Sequence, residues 1–266
     1  MRSLKTGKVK EPGKQIKDME KTDYIFGMRT IIEAINSGKE IEKILIKKGL
    51  QGELYHELMD LVHQMQIPIQ LVPIEKIDRV TRKNHQGILA FISPIIYQNI
   101  EEIIPRLYEE GKTALILILD ELTDVRNFGA IARSAEVAGV HAIIIPEKGS
   151  AQINADAIKT SAGALHLIPV CRTKSLPNVV KYLKNSGLKI ISATDKGEKF
   201  YYDIDMKDPL AIILGSEDLG IEAGLLKVSD EWAKIPQIGQ IQSLNVSVAA
   251  GIIVFEAIRQ RSVSAL

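Results

Sequence analysis

Three stretches of this chain hold side chains able to do chemistry. "DELTDVRNFGAIARSAE" (120–136) carries Asn127 and Arg133, "GSEDLG" (215–220) carries Glu217, and "IPQIGQIQSLNVSVAAG" (235–251) carries Ser243 and Asn245. Taken singly, Asn127, Ser243 and Asn245 suit helix caps, because their oxygens can accept from the first free N–H groups of a helix. Arg133 suits a surface pair with Glu136 or Asp124. Taken together, one cation, one carboxylate and several amide and hydroxyl groups are spread over loops rich in glycine. Gly215, Gly220 and Gly239 let backbone approach a ligand closely, and such loops suit an adenine held by main-chain N–H and C=O groups.

The elements that must position these loops are legible as apolar runs. "ALILIL" (114–119), "AIIIP" (142–146), "LHLIPV" (165–170), "LKIISAT" (188–194) and "LAIIL" (210–214) alternate with helical patterns such as "AIARSAEVAG" and "LPNVVKYLKNSG". Strands apolar on both faces, separated by helices, predict a parallel sheet covered on each side. Ligands bind such sheets beyond the C-terminal strand ends, where the three loops begin. The first strand-to-helix turn lacks G-x-G-x-x-G, and "EEGKT" (109–113) precedes a strand and lacks the earlier glycine of a P-loop, so nicotinamide and nucleoside-triphosphate chemistry are set aside.

Upstream, residues 22–93 read as a small α/β module. "TIIEAINSG" predicts a helix ending at Gly38 and "GELYHELMDLVHQMQ" a second, with "IEKILIKK", "IPIQLV" and "GILAFIS" as strands. Residues 94–112, with two prolines, read as a linker containing a connecting helix, and 113–266 as the second domain.

Composition narrows the class. The 266 residues carry a net charge of +1, yet residues 1–21 hold seven basic and three acidic side chains, a tail expected to be disordered. Neither a membrane-spanning run nor a signal peptide is visible, which predicts a cytoplasmic protein. One cysteine, Cys171, and five histidines without ligand spacing argue against metal chemistry.

The three stretches, in this order, resemble the three motifs of the SpoU-type RNA ribose 2′-O-methyltransferases, the branch of S-adenosylmethionine enzymes with a trefoil knot. "IKTSAGALHLIPV" (158–170) strengthens the likeness, and "YIFGMRTIIEAI" (24–35) with "NHQGILAF" (84–91) are similar to the substrate-binding domain of bacterial 23S ribosomal RNA guanosine 2′-O-methyltransferases. The resemblance implies an α/β fold: a C-terminal parallel-sheet domain with a deep trefoil knot, threaded by residues 235–258, behind a small RNA-binding α/β domain. It implies a homodimer whose sites draw on both subunits, S-adenosylmethionine as cofactor, and no metal or membrane.

It further implies that Asn127, Arg133, Glu217, Ser243 and Asn245 serve catalysis, with Glu217 fixing its loop or meeting Arg133. Leu214, Gly215, Ser216, Gly220, Ile235, Gly239, Ser243 and Leu244 are implied to hold the cofactor, and Lys159 and Ser161 are weaker candidates. The family's arginine is often described as the general base. Since a guanidinium does not deprotonate in a protein, Arg133 is expected instead to bind the neighbouring phosphate and stabilise the forming alkoxide, while a phosphate oxygen or water takes the proton. With few aromatic residues in the N-terminal module (Tyr24, Phe26, Tyr55, Phe91), phosphate contacts should outweigh base stacking there. Competing expectations are transfer-RNA methylation, methylation of a ribosomal adenosine conferring antibiotic resistance, and a silent RNA-binding relative.

Overall fold

The computed structural model describes residues 24–240 and 243–263. The basic tail, 1–21, lies outside the described residues. The chain forms two compact units, one ending at Ser93 and one beginning at Pro94.

In the first unit, β1 (Tyr24–Phe26), α1 (Met28–Asn36), β2 (Ile41–Lys47), α2 (Glu53–Gln64), β3 (Ile69–Val72), α3 (Ile74–Asp78) and β4 (Ile88–Ile92) build a sheet of order β1-β4-β2-β3. The period-two pattern sends Ile44 and Ile46 of β2 to the face covered by α1 and α2, and Leu45 to the other face with Phe91 and Ile77. α1 ends as expected at Gly38, whose φ of +77° allows Lys39 N–H to reach the Ala34 carbonyl at 3.0 Å.

The second unit contains β5 (Tyr97–Gln98), α4 (Ile100–Glu109), β6 (Leu115–Leu119), α5 (Val125–Val137), β7 (Ala142–Pro146), α6 (Ala155–Thr160), β8 (Val170–Thr173), α7 (Leu176–Asn185), β9 (Lys189–Ala193), β10 (Lys199–Phe200), β11 (Leu210–Leu214), α8 (Ala223–Val228), β12 (Glu231–Lys234) and α9 (Val246–Val263). Its eight strands run parallel in the order β10-β12-β9-β11-β6-β7-β8-β5. Every residue of β6 and β11 is buried, as apolar strands covered on both faces require. Leu115, Leu117 and Leu119 meet α5 and α9 on one face, while Ile116 and Ile118 meet α4, α7 and α8 on the other.

Two expectations are corrected. Residues 94–112 are not a linker: β5 pairs with β8, and α4 buries Ile100, Ile103, Ile104 and Leu107 in the core beneath the sheet. The strand expected at 165–170 begins only at Val170, after a 3-10 turn at Ala164–His166. Pro169 has no N–H to give a ladder, so pairing starts behind it. No helix among the described residues is long and apolar enough to cross a membrane.

Candidate active site

The register Leu119↔Leu214 places the C-terminal ends of β6 and β11 side by side, so the loops after them start at the same height. Asp120 follows β6 and is 4% exposed; its backbone N–H donates to the Leu214 carbonyl at 2.8 Å, and its carboxylate accepts from Glu222 N–H at 2.7 Å. Burial pushes the Asp120 carboxyl above the usual carboxylate range. This buried carboxylate therefore ties the first loop to the far side of the second.

Within the second loop the backbone doubles back on itself. Ser216 bridges to Gly220, and the Ser216 hydroxyl accepts from Leu219 N–H at 3.2 Å. A Cβ placed on Gly215 would lie 2.1 Å from the Gly220 carbonyl carbon, and Gly220 itself has φ +70°. Both glycines are thus required by the loop's own path. A Cβ on Gly239, by contrast, meets no protein atom within 4 Å.

This fold aims Glu217 at the other two motifs. Its Oε1 accepts from Asn127 Nδ2 at 3.0 Å, from Asn245 Nδ2, and from Val246 N–H at 3.3 Å. Asn245 Nδ2 also donates to Asn127 Oδ1 at 3.0 Å, so one residue from each of the three motifs joins a single network. Asn245 caps α9 as expected, its Oδ1 accepting from Ser247 N–H at 2.9 Å. Asn127 does not cap α5. Asp124 does so, accepting from the N–H groups of Arg126 and Asn127 at 2.8 Å each, because the helix begins two residues before Asn127. The Asn127 amide is thereby left for the network.

Beside the network lies a cavity of about 420 Å³. Its walls include Leu214, Gly215, Ser216, Glu217, Gly220, Ile235, Ser243 and Leu244, but not Gly239. Thr194, Asp195 and Lys196 also line it and were missed. The available signal was their position, in the loop directly after the apolar run of β9, where a parallel sheet presents its ligand side.

Arg133 is not brought into the network. Six residues along an α-helix turn the side chain about 120° away from that of Asn127, and Arg133 is exposed. Among the described residues no ion pair or hydrogen bond engages it, so neither the surface pair with Glu136 or Asp124 nor the meeting with Glu217 forms. Lys159 is exposed on α6. Ser161 is fully buried and its hydroxyl donates to the Ile158 carbonyl at 2.9 Å, a bond that closes the helix end.

Residues 114–255 match the model of the SpoU rRNA methylase family, more than half of the chain. The chain belongs to this family. Residues 24–98 match a second model, that of the RNA 2′-O ribose methyltransferase substrate-binding domain. A protein of Staphylococcus saprophyticus assigned to the TrmH family of tRNA/rRNA methyltransferases is 35% identical over 238 residues, covering 90% of this chain and 96% of its own. Among solved structures, an RNA 2′-O ribose methyltransferase is similar at a TM-score of 0.54 and 25% identity, covering 94% of this chain and 97% of the other. The SpoU methyltransferase AviRb of Streptomyces viridochromogenes, in complex with AdoMet, shares the fold at a TM-score of 0.58 and 21% identity, with 96% and 95% covered. The SpoU chain is an RNA 2′-O-ribose methyltransferase.

Proposed function

We propose that this RNA 2′-O-ribose methyltransferase acts on a guanosine of 23S ribosomal RNA, as a homodimer, with S-adenosylmethionine in the cavity beside Glu217. The observation that carries the reading is the Asn127–Glu217–Asn245 network, which joins all three motifs through Glu217, a residue of that cavity's wall. The walls suit the cofactor: about 420 Å³ lies within the usual range for small-ligand pockets. Leu214, Ile235 and Leu244 offer apolar surface, Ser243 and Asp195 polar contacts, and the folded-back 215–220 loop a rim of main chain. When bound, the cofactor supplies an electrophilic sulfonium methyl group.

The chain's own residues then align the reaction. Glu217 holds the Asn127 and Asn245 amides together at the ribose, and the loops exclude water from the approach of the 2′-oxygen. Alignment of this kind is worth effective molarities of up to about 10⁵–10⁸ M. Arg133, engaged by no hydrogen bond or ion pair among the described residues, binds a substrate phosphate and stabilises the forming alkoxide. The 2′-hydroxyl proton passes to a phosphate oxygen or water, since the guanidinium cannot take it. Its direction away from Asn127 supports service in the site of a second copy.

Support for ribosomal RNA comes from the separate N-terminal unit, matched by the substrate-binding model and carrying the "YIFGMRTIIEAI" and "NHQGILAF" stretches. The test is mass-spectrometric mapping of ribose methylation in total bacterial RNA incubated with the protein and labelled S-adenosylmethionine, beside Arg133→Ala. One labelled guanosine in 23S RNA, lost in the variant, is expected. Label confined to transfer RNA overturns the substrate, and full turnover by a stable monomer overturns the dimeric site.

A further inference from the structure

We propose that Glu121 reads the target guanine, its carboxylate accepting from the two N–H groups on the Watson–Crick edge of the base; this rests on the RNA methyltransferase reading above. Glu121 follows Asp120 at the C-terminal end of β6, whose neighbours in the sheet are β11 and β7. The two carboxylates leave that strand end in opposite directions. Asp120 turns toward the loop after β11, where it accepts from Glu222 N–H. Glu121 turns toward the loop after β7: a Cβ placed on Gly149 would lie 3.7 Å from its Cγ and 3.9 Å from its Oε1. Leu122 then fastens the two loops together, its carbonyl accepting from Ala151 N–H at 2.6 Å.

That direction is held against backbone strain. Glu121 has φ +51°, in the left-handed region that glycine enters freely and other residues rarely adopt. Three more non-glycine residues share it among the described residues. Gln66 and Ala162 come directly after the ends of α2 and α6, where this conformation is common, and Gln86 turns the chain beside Gly87 into β4. Glu121 ends no helix, and it stands on the ligand side of a parallel sheet. Its side chain is exposed, and no hydrogen bond or ion pair engages it among the described residues. Glycine would make the same turn without strain, so what the strained backbone delivers to that side is a bare carboxylate.

An ionised carboxylate only accepts hydrogen bonds, and the phosphates of RNA repel it, so its partner is a base edge or a hydroxyl. The ribose is already assigned to the Asn127–Glu217–Asn245 network, which joins the loops after β6 and β11. The ends of β11 and β7 are two strand spacings apart, about 10 Å. A nucleoside laid across the end of β6 with its ribose at the network therefore carries its base to Glu121. Unpaired RNA bases are read on this edge, and guanine alone among the four has two adjacent N–H donors there, N1–H and N2–H. Adenine presents the N1 lone pair instead, which a carboxylate repels. Guanine O6 needs a donor beside them, and the N–H groups of Lys148, Gly149 and Ser150 donate to nothing among the described residues.

The test compares wild type, Glu121→Gln and Glu121→Gly, all full length, in labelled methyl transfer to two 23S ribosomal RNA transcripts. One is native, and the other carries adenosine in place of the methylated guanosine located by mass spectrometry. Wild type should prefer guanosine. Glu121→Gln keeps one acceptor and turns an N–H toward adenine N1, so its guanosine-to-adenosine ratio of kcat/KM should fall by about 5- to 150-fold, the discrimination of one bidentate base contact. Glu121→Gly should lose the preference too while its Tm stays at or above that of wild type, which separates the carboxylate from the turn it sits in. S-adenosylmethionine affinity should be unchanged in both variants. A Glu121→Gln ratio equal to that of wild type, in a protein that still methylates guanosine, overturns the base contact alone. An equal loss of kcat on both transcripts with an altered pH–rate profile assigns the carboxylate to proton transfer and overturns it likewise. Wild-type label on a nucleotide other than guanosine, or on none, overturns the functional reading and this contact with it.

Discussion

Gly215→Ala should cripple the enzyme through backbone geometry. The added Cβ would sit 2.1, 2.2 and 2.4 Å from the Gly220 carbonyl carbon, the Gly220 oxygen and the Ile221 nitrogen. Ordinary contact begins at 3.4 Å, so the facing chain must retreat by about 1.3 Å, and no flexible side-chain end is available to yield instead. Retreat on the far side is resisted by the Asp120 carboxylate, which holds Glu222 N–H at 2.7 Å. The shift therefore falls on the segment bearing Glu217. Overpacking of this kind costs about 1–3 kcal/mol, or a Tm loss of roughly 2–12 °C for a chain of this size. A displacement near 1 Å at a positioning residue costs about 100-fold in rate. Gly220→Ala is the matched control: its Cβ meets nothing within 4 Å and its cost is only the φ of +70°, about 1–2 kcal/mol. The assays are kcat/KM from labelled methyl transfer, cofactor affinity by calorimetry, and Tm. If Gly215→Ala keeps wild-type affinity and kcat/KM, the reasoning fails.

Arg133→Lys should lose at least tenfold in kcat/KM while Tm stays within about 1 °C, because the exposed side chain has no partner among the described residues and an ammonium lacks the planar fork that binds phosphate; wild-type turnover would refute the phosphate role. Hydrogen bonds from the Arg259 guanidinium hold the Glu256 carboxyl below the usual carboxylate range. A depressed folded pKa contributes stability that is full above the unfolded value, about 4.3, and is lost as pH falls through the folded one, so Glu256→Gln should flatten the acid limb of the Tm–pH curve while wild type keeps the steeper fall. Burial pushes the Cys171 thiol up to about 12; iodoacetamide at pH 8 should label it only after denaturation, and labelling of the native protein would contradict its buried place on β8.

The apolar runs of β6, β7 and β11 were legible because a strand buried on both faces has no polar position to blur it. The cap at Asn245 was legible because capping is chemistry between neighbours in sequence. The role of α4 was not: its stripe of Ile100, Ile103, Ile104 and Leu107 announces a buried face, but what it covers is set by strands that come later in the chain. Gly251 shows the same limit from the other side. A small residue on α9 suggests close packing, yet a Cβ there meets nothing within 4 Å, whereas neighbouring Ala250 is 1% exposed.

The network itself could not have been drawn from spacing. Asn127 and Asn245 stand 118 positions apart, and Glu217 lies 90 from one and 28 from the other. They meet because β11 inserts between β9 and β6, in a register that aligns Leu214 with Leu119, while α9 returns across the sheet to pack on α5 and β11. Each motif records which atoms its loop can offer. Strand order and register decide which loops share them, and that decision rests on buried faces such as Leu117 against Ile212, whose residue types would serve equally well beside any other strand of this sheet. The buried Asp120 strengthens the point: a carboxylate closing the apolar run of β6 is costly to bury unless something pairs with it, and the structure, not the sequence, supplies both its burial and its backbone partner. Glu222 N–H is that backbone, two residues past Gly220.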